Sequence, residues 1–237
     1  GGQMSSCTSW GSGSGLELKP EITAPGGNIW STVMDSSYVE GAGKYDDYTG
    51  SYSLMSGTSM ATPHMAGLAA LVEQYVKSQH PQQDAAASAD LTNHLLVSTA
   101  VPQQENGVYV SPRRQGAGLV NAAAAISTPA YIDVDGKLVG KLELGDDPAE
   151  KGVYTMTFKV HNTGKDTLYY DIQPIVLTDG TATYTNSDNE AFLTSSETAV
   201  ALSHTFTTNC KDNRVAVSAG GEQEVTVTVT LPTPRRN

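Results

Sequence analysis

Within Ser56–Gly67, read as SGTSMATPHMAG, one hydroxyl stands where chemistry could happen. Ser59 opens a run in which Met60, Ala61, His64, Met65, Leu68, Ala69, Leu71, Val72, Tyr75 and Val76 recur at helical spacing. A serine at that place has two readings. It can cap the helix by accepting a backbone N–H. It can also be a nucleophile, which needs a histidine to take its proton and usually a carboxylate to orient that histidine. Gly57 puts no side chain in the way of a substrate, and the start of a helix leaves N–H groups unpaired, one of which could face a developing oxyanion. Ala61, Ala66 and Gly67 are small, and the first half of the helix is almost wholly apolar or small, which predicts burial on most sides. Thr62 and Pro63 read as part of the opening turn, where proline's missing N–H costs nothing.

The histidines offer no obvious base. His64 lies five residues beyond Ser59 on the same helix, so it points down the axis and away from the mouth; a buried, hydrogen-bonded structural role is expected for it. His80 falls at the exposed end of that helix, His94 in the next one, and His161 and His204 in a different kind of sequence further on. No histidine precedes Ser59.

The elements that must position these residues divide the 237-residue chain into two parts. In the first, Lys19–Gly27 reads as a short strand ended by a Pro-Gly turn, and Ile29–Val33 as a second apolar run, while Gly11–Gly15 (GSGSG) is a flexible loop. Asp35–Thr49 is acidic, tyrosine-dotted and glycine-broken, a surface loop whose Asp46 and Asp47 could help hold a calcium ion, although their spacing matches no calcium motif. Residues 84–101 predict a second helix, and residues 115–127 a third that begins after Gly116-Ala117-Gly118. After Pro129 the period changes to two. Tyr154, Met156, Phe158 and Val160 alternate with polar residues, as do Leu168, Tyr170 and Ile172, and then Val225, Val227, Val229 and Leu231. Several short alternating strands with turns at Asn162-Thr163-Gly164 and Gly220-Gly221 argue for a β-sandwich. The boundary falls between residues 128 and 133, so that residues 1–129 and 130–237 form the two units.

Composition narrows the function. Net charge is -11, and the 14 basic residues form no stripe, which argues against nucleic acid and against an anionic membrane surface. No stretch approaches the 18 or so apolar residues of a transmembrane helix. Cys7 and Cys210 can build no metal or redox site; they could pair or stay free. No signal peptide is visible at the start.

SGTSMATPHMAG closely resembles the nucleophile segment of the subtilisin-like serine proteases, or subtilases, over twelve contiguous positions. Lys19–Gly26 (KPEITAPG) is similar to the strand and turn that precede that segment, and Ser9-Trp10-Gly11 to the Ser-x-Gly element before it. Ser111–Val120 (SPRRQGAGLV) resembles a segment of the large cell-envelope subtilases, among them lactococcal caseinases and streptococcal C5a peptidases. The resemblance implies an α/β fold: a subtilisin-like parallel sheet with helices, present as its C-terminal part, followed by a fibronectin-III-like all-β sandwich. It implies that Ser59 is the nucleophile and that His64 is the non-catalytic histidine of the motif. Subtilases run Asp, His, Ser along the chain, so the catalytic Asp and His and the oxyanion Asn are expected upstream, on another segment or a separate chain that completes the domain. Protein or peptide substrates, no obligatory cofactor and an extracellular or cell-wall location in a Gram-positive bacterium follow from the same resemblance. The rival reading is a non-catalytic fragment or homologue acting as a structural or protein-binding module.

Overall fold

The computed structural model describes residues 3–15, 17–33, 38–39, 44–45, 52–138, 140–145 and 147–232. The first unit contains β1 (Ile29–Thr32), β2 (Tyr38–Val39), β3 (Lys44–Tyr45), β4 (Tyr52–Met55), α1 (Thr58–Gln79), α2 (Ala85–Ser98), β5 (Gln104–Glu105), β6 (Val108–Tyr109), α3 (Pro112–Gln115) and α4 (Ala122–Ser127). β1 pairs antiparallel with β4, and β5 with β6. Asp84 caps α2, its carboxylate accepting the Ala87 N–H at 2.8 Å.

Two elements are shorter than their patterns predict. The third helix starts only at Ala122, capped by Asn121, because Gly116 and Gly118 take positive φ values of 62° and 124° and Leu119 bridges both Thr23 and Val101. Lys19–Gly27 forms no strand beyond the single bridge at Thr23. That bridge, Thr23 to Leu119, is the one parallel pairing among the described residues, whereas every ladder between named strands is antiparallel.

The second unit begins with β7 (Ala130–Asp133), followed by β8 (Val153–Asn162), β9 (Leu168–Asp171), β10 (Leu177–Thr185), β11 (Ala191–Ala201), β12 (Thr205–Thr208), β13 (Arg214–Val217) and β14 (Glu222–Thr230). One sheet has the order β12-β14-β8-β7, and β13 pairs with β9 in a second layer. Val160, Val225, Val227 and Val229 of the first sheet and Val215 and Val217 of the second are all buried in one cluster, as the period-two pattern requires. β10 and β11 form a separate ribbon that touches β6. At the turn after β8, the Asn162 amide donates to the carbonyls of Asp166, Val217 and Ser218 at 2.8 to 3.1 Å and accepts the Gly164 N–H.

β7 is shared by both units. Ala130 and Ile132 point into the sandwich core, whereas Tyr131 packs against the helical core of Val72, Val76, Leu95, Leu96 and Ala125. The alternation of a strand thus gives each core one face of the same four residues.

Asn162→Ala would strand the buried Val217 carbonyl and leave those of Asp166 and Ser218 to water. The expected loss is about 2 kcal/mol of unfolding free energy, read by denaturant titration of the sandwich.

Candidate active site

The N-cap of α1 is Gly57, in an extended conformation, with no side-chain capping bond. Ser59 is therefore the second residue of the helix, and its hydroxyl is not the cap. The turn before it is pinned: the Gly57 N–H donates to the Gly26 carbonyl at 2.8 Å, and the Ser56 hydroxyl accepts the Asn28 N–H at 2.8 Å. A Cβ on Gly26 would lie 2.7 Å from the Gly57 carbonyl oxygen, so the close approach of these two segments needs that glycine.

The mouth of α1 keeps two donors in reserve. The Met60 N–H bonds the Gly57 carbonyl at 3.0 Å and the Gly57 N–H is already used, which leaves Thr58 N–H and Ser59 N–H without a backbone partner among the described residues. Ser59 itself is exposed, and its hydroxyl bonds to no described residue. It opens on a groove of about 380 Å³ between α1 and the β1–β4 hairpin, where Ser31, Ser53, Met55, Met60 and His64 also line the wall.

Pro63 corrects the sequence reading. It is the sixth helical residue, beyond the opening turn, and it removes the N–H that would bond the Ser59 carbonyl. The helix is thus loosened one turn below the serine.

His64 is not a base for Ser59. Its Nδ1 lies 2.8 Å from the Met60 carbonyl, which turns the ring along the helix, but the residue is exposed, contrary to the burial expected for it. The first half of α1 as a whole is more open than its composition predicts. Val72 and Val76 are buried, where α2 and α4 cover the second half, yet Pro63, Ala66, Gly67 and Ala70 are exposed and Leu71 keeps 61% of its surface. Trp30 and Tyr52, stacked at 6.3 Å on the hairpin, are exposed at 67% and 53%. Among the described residues nothing covers this face.

The remaining histidines are held elsewhere. His80 ends α1 and is exposed. His204 Nδ1 lies 3.0 Å from the Leu202 carbonyl. His94 is buried, and its Nε2 accepts the Ile132 N–H at 2.9 Å. His161 pairs with Asp133, lies 3.5 Å from Glu222 and stacks on Tyr131 at 4.6 Å between ring centres. This histidine–carboxylate cluster escaped the sequence reading because its members are 28 and 61 residues apart; only the β7–β8 and β8–β14 registers, Tyr131 opposite His161 and His161 opposite Glu222, bring them together. It cannot serve Ser59. Tyr131 packs at the Val76 level of α1, and 17 residues of helix separate that level from Ser59 by about 25 Å.

Burial pushes the Asp133 carboxyl up, but the Gly136 N–H at 2.8 Å and the His161 imidazole outweigh it and hold the group below the ordinary carboxylate range. Cys7 and Cys210 are both free. No group of three or more His, Cys, Asp or Glu able to hold a metal occurs among the described residues, and Asp46 and Asp47 lie outside them, as does most of the acidic loop.

Residues 1–118 match the subtilase family, and residues 142–237 match an Fn3-like domain. Over its first half the chain belongs to the subtilase family. Its relatives include the PII-type proteinase of Lactococcus lactis subsp. cremoris, 35% identical over 199 residues, and the PII-type proteinase of Lacticaseibacillus paracasei, also 35% identical; each comparison covers 78% of this chain and 10% of the relative. The C5a peptidase of Streptococcus pyogenes serotype M6 is 31% identical over 183 residues, covering 76% of this chain and 14% of the relative. The chain therefore spans between about a tenth and a seventh of the length of these relatives. Among the described residues no helix is long and apolar enough to cross a membrane.

Two outcomes follow. Ser59→Ala should change stability by less than about 0.5 kcal/mol, because the hydroxyl is exposed and holds nothing; a denaturant melt reads it. For Asp133 the folded pKa is depressed, so its stabilisation is present above the ordinary value and is lost as pH falls through the folded one. Asp133→Asn should therefore lower stability at neutral pH and flatten its decline below about pH 4, which thermal melts across pH would measure.

Proposed function

We propose that this chain is the nucleophile-bearing part of a subtilisin-like serine endopeptidase that hydrolyses peptide bonds of extracellular proteins. The observation that carries the reading is Ser59: an unencumbered hydroxyl at the open mouth of α1, in a segment of the subtilase family, with its own N–H and that of Thr58 unspent.

Ser59 Oγ attacks the scissile carbonyl while a histidine takes its proton and returns it to the leaving amine. The resulting oxyanion is met by the Ser59 N–H and by a side-chain amide from elsewhere, one such donor being worth about 3 kcal/mol. The histidine, its aspartate and that amide come from an upstream segment or a separate chain, since no histidine among the described residues reaches Ser59. The same segment completes a parallel sheet beside the Thr23–Leu119 bridge and covers the exposed face of α1 and the hairpin, an apolar surface too continuous to be left in water. Residues 1–129 form the catalytic part and 130–237 the sandwich, and the relatives' names and organisms support a secreted or wall-attached protease of a Gram-positive bacterium.

The missing base is also what favours the second reading, a non-catalytic module in which the serine segment is scaffold. A fluorophosphonate probe on the full-length protein separates the two. Labelling at Ser59, lost in Ser59→Ala together with about 10⁶-fold of kcat, is the expected result; an unlabelled Ser59, or full activity in the variant, would leave the scaffold reading standing.

A further inference from the structure

β7 is the last strand of its sheet, so one edge of it faces away from β8. An edge N–H must find a partner or water. Here the Ile132 N–H leaves the sandwich and donates to His94 Nε2 of α2 at 2.9 Å, across the boundary between the two units. An imidazole nitrogen that accepts a hydrogen bond carries no proton. His94 retains only 3% of its surface, and the edge of the Tyr131 ring meets it at 6.3 Å. The docked arrangement therefore holds His94 in its neutral form with the other nitrogen protonated.

The contact that depends on this bond is narrow. On one side lies a groove of about 770 Å³ that reaches Leu91 and Leu95 of α2 and Tyr131 of β7. On the other lies one of about 610 Å³ that reaches His94 and Val97 of α2 and Val134 after β7. Packing between α2 and β7 is thus interrupted on both flanks, and when the strip between them opens the helical side gives up Tyr131 while the buried clusters around Val72 and Val225 stay within their own units.

We propose that the α2–β7 contact is an acid-released latch, closed while His94 is neutral and opened when its Nε2 takes a proton. Protonation places an N–H against the Ile132 N–H, which abolishes the bond and buries a cation at the seam. The open state exposes the imidazole to water, where it titrates near its ordinary pKa of about 6.5. The sign is fixed by linkage: only the open state binds the proton, so closing weakens as pH falls. It weakens by about tenfold at pH 5.5 and about a hundredfold at pH 4.5.

The charged groups around His94 are of both signs. Glu21, Asp135 and Glu143 line the same groove with Lys137 and Lys141, and β7 adds Asp133 and Tyr131. Asp133 already serves His161 and Gly136, and Lys141 contacts Glu21 and Glu143 at 3.5 Å. The second tie between the units, Asp179 of β10 accepting from Ser111 at 2.8 Å and pairing with Arg113, is independent of His94 and keeps the sandwich tethered when the latch opens.

The test is hydrogen–deuterium exchange on the full-length protein from pH 7.5 to 4.5, corrected for the intrinsic pH dependence of exchange. Protection of peptides spanning residues 128–134 should fall about tenfold between pH 7.5 and 5.5 while β14 stays protected. His94→Gln, whose side-chain oxygen can accept from Ile132 without titrating, should hold that protection level across the range. Flat protection in the wild type, or the same fall in His94→Gln, overturns the proposal. Should His94→Gln fail to fold, a histidine-labelled NMR titration of the wild type decides. An imidazole that protonates near pH 6.5 while β7 stays protected overturns the latch, and one that protonates together with β7 deprotection supports it.

Discussion

The architecture turns on four residues that serve two cores. Ala130–Asp133 pairs with β8 as the edge of the sandwich sheet, and strand alternation sends Ile132 into that sheet's valine core while Tyr131 enters the helical core beside Val76. Neither unit is complete without this strand. Its outward N–H at Ile132 would be a buried orphan without His94, and Asp133 would be a buried charge without Gly136 and His161. The polar contacts at the junction therefore follow from sharing one strand between two hydrophobic environments.

The serine end of α1 obeys the opposite rule. At the far end, α2 and α4 close over Val72 and Val76. At the near end the helix is glycine-capped and interrupted at Pro63, and its hydroxyl and two N–H groups are unspent. A helix terminus with unused donors is poorly suited to holding a fold together and well suited to meeting negative charge that forms during a reaction. The exposed Leu71, Trp30 and Tyr52 extend this open region into an apolar face. Packing is concentrated at one end of α1 and unspent donors at the other, about 25 Å apart.

The sandwich is tied to the subtilase part at separate points. The His94–Ile132 bond and the Asp179 clamp on Ser111 and Arg113 reach different strands, β7 and β10. Arg113 also donates to the Gly11 carbonyl at 2.6 Å, and with Arg114 it faces the Trp10 ring. The clamp thus reaches from the ribbon of the sandwich into the first dozen residues of the chain. A spacer would not need such contacts.

Much was legible in the sequence because it depends on neighbours. The helical run after Gly57, the Asp84-capped helix, the switch to period two after Pro129 and the alternating valines of β14 are all local patterns, and they place Ser59 at a helix mouth and the change from helices to strands near residue 130. Composition misled where burial was inferred from apolarity: the first half of α1 is apolar yet open, because burial depends on what packs against a surface. The positive φ angles of Gly116 and Gly118, which shorten the third helix, are set by bridges from Thr23 and Val101 that no local pattern announces. Contacts across 28 to 66 residues, His161 with Asp133, Ile132 with His94 and Arg113 with Asp179, were decided by strand register and by the meeting of two cores. The sequence by itself determined which serine stands at a helix mouth and which segments become helix or strand, since both are written in residues a few positions apart. Only the tertiary structure decided which histidines are spent on holding the units together, because that depends on which unpaired N–H or carboxylate each imidazole meets.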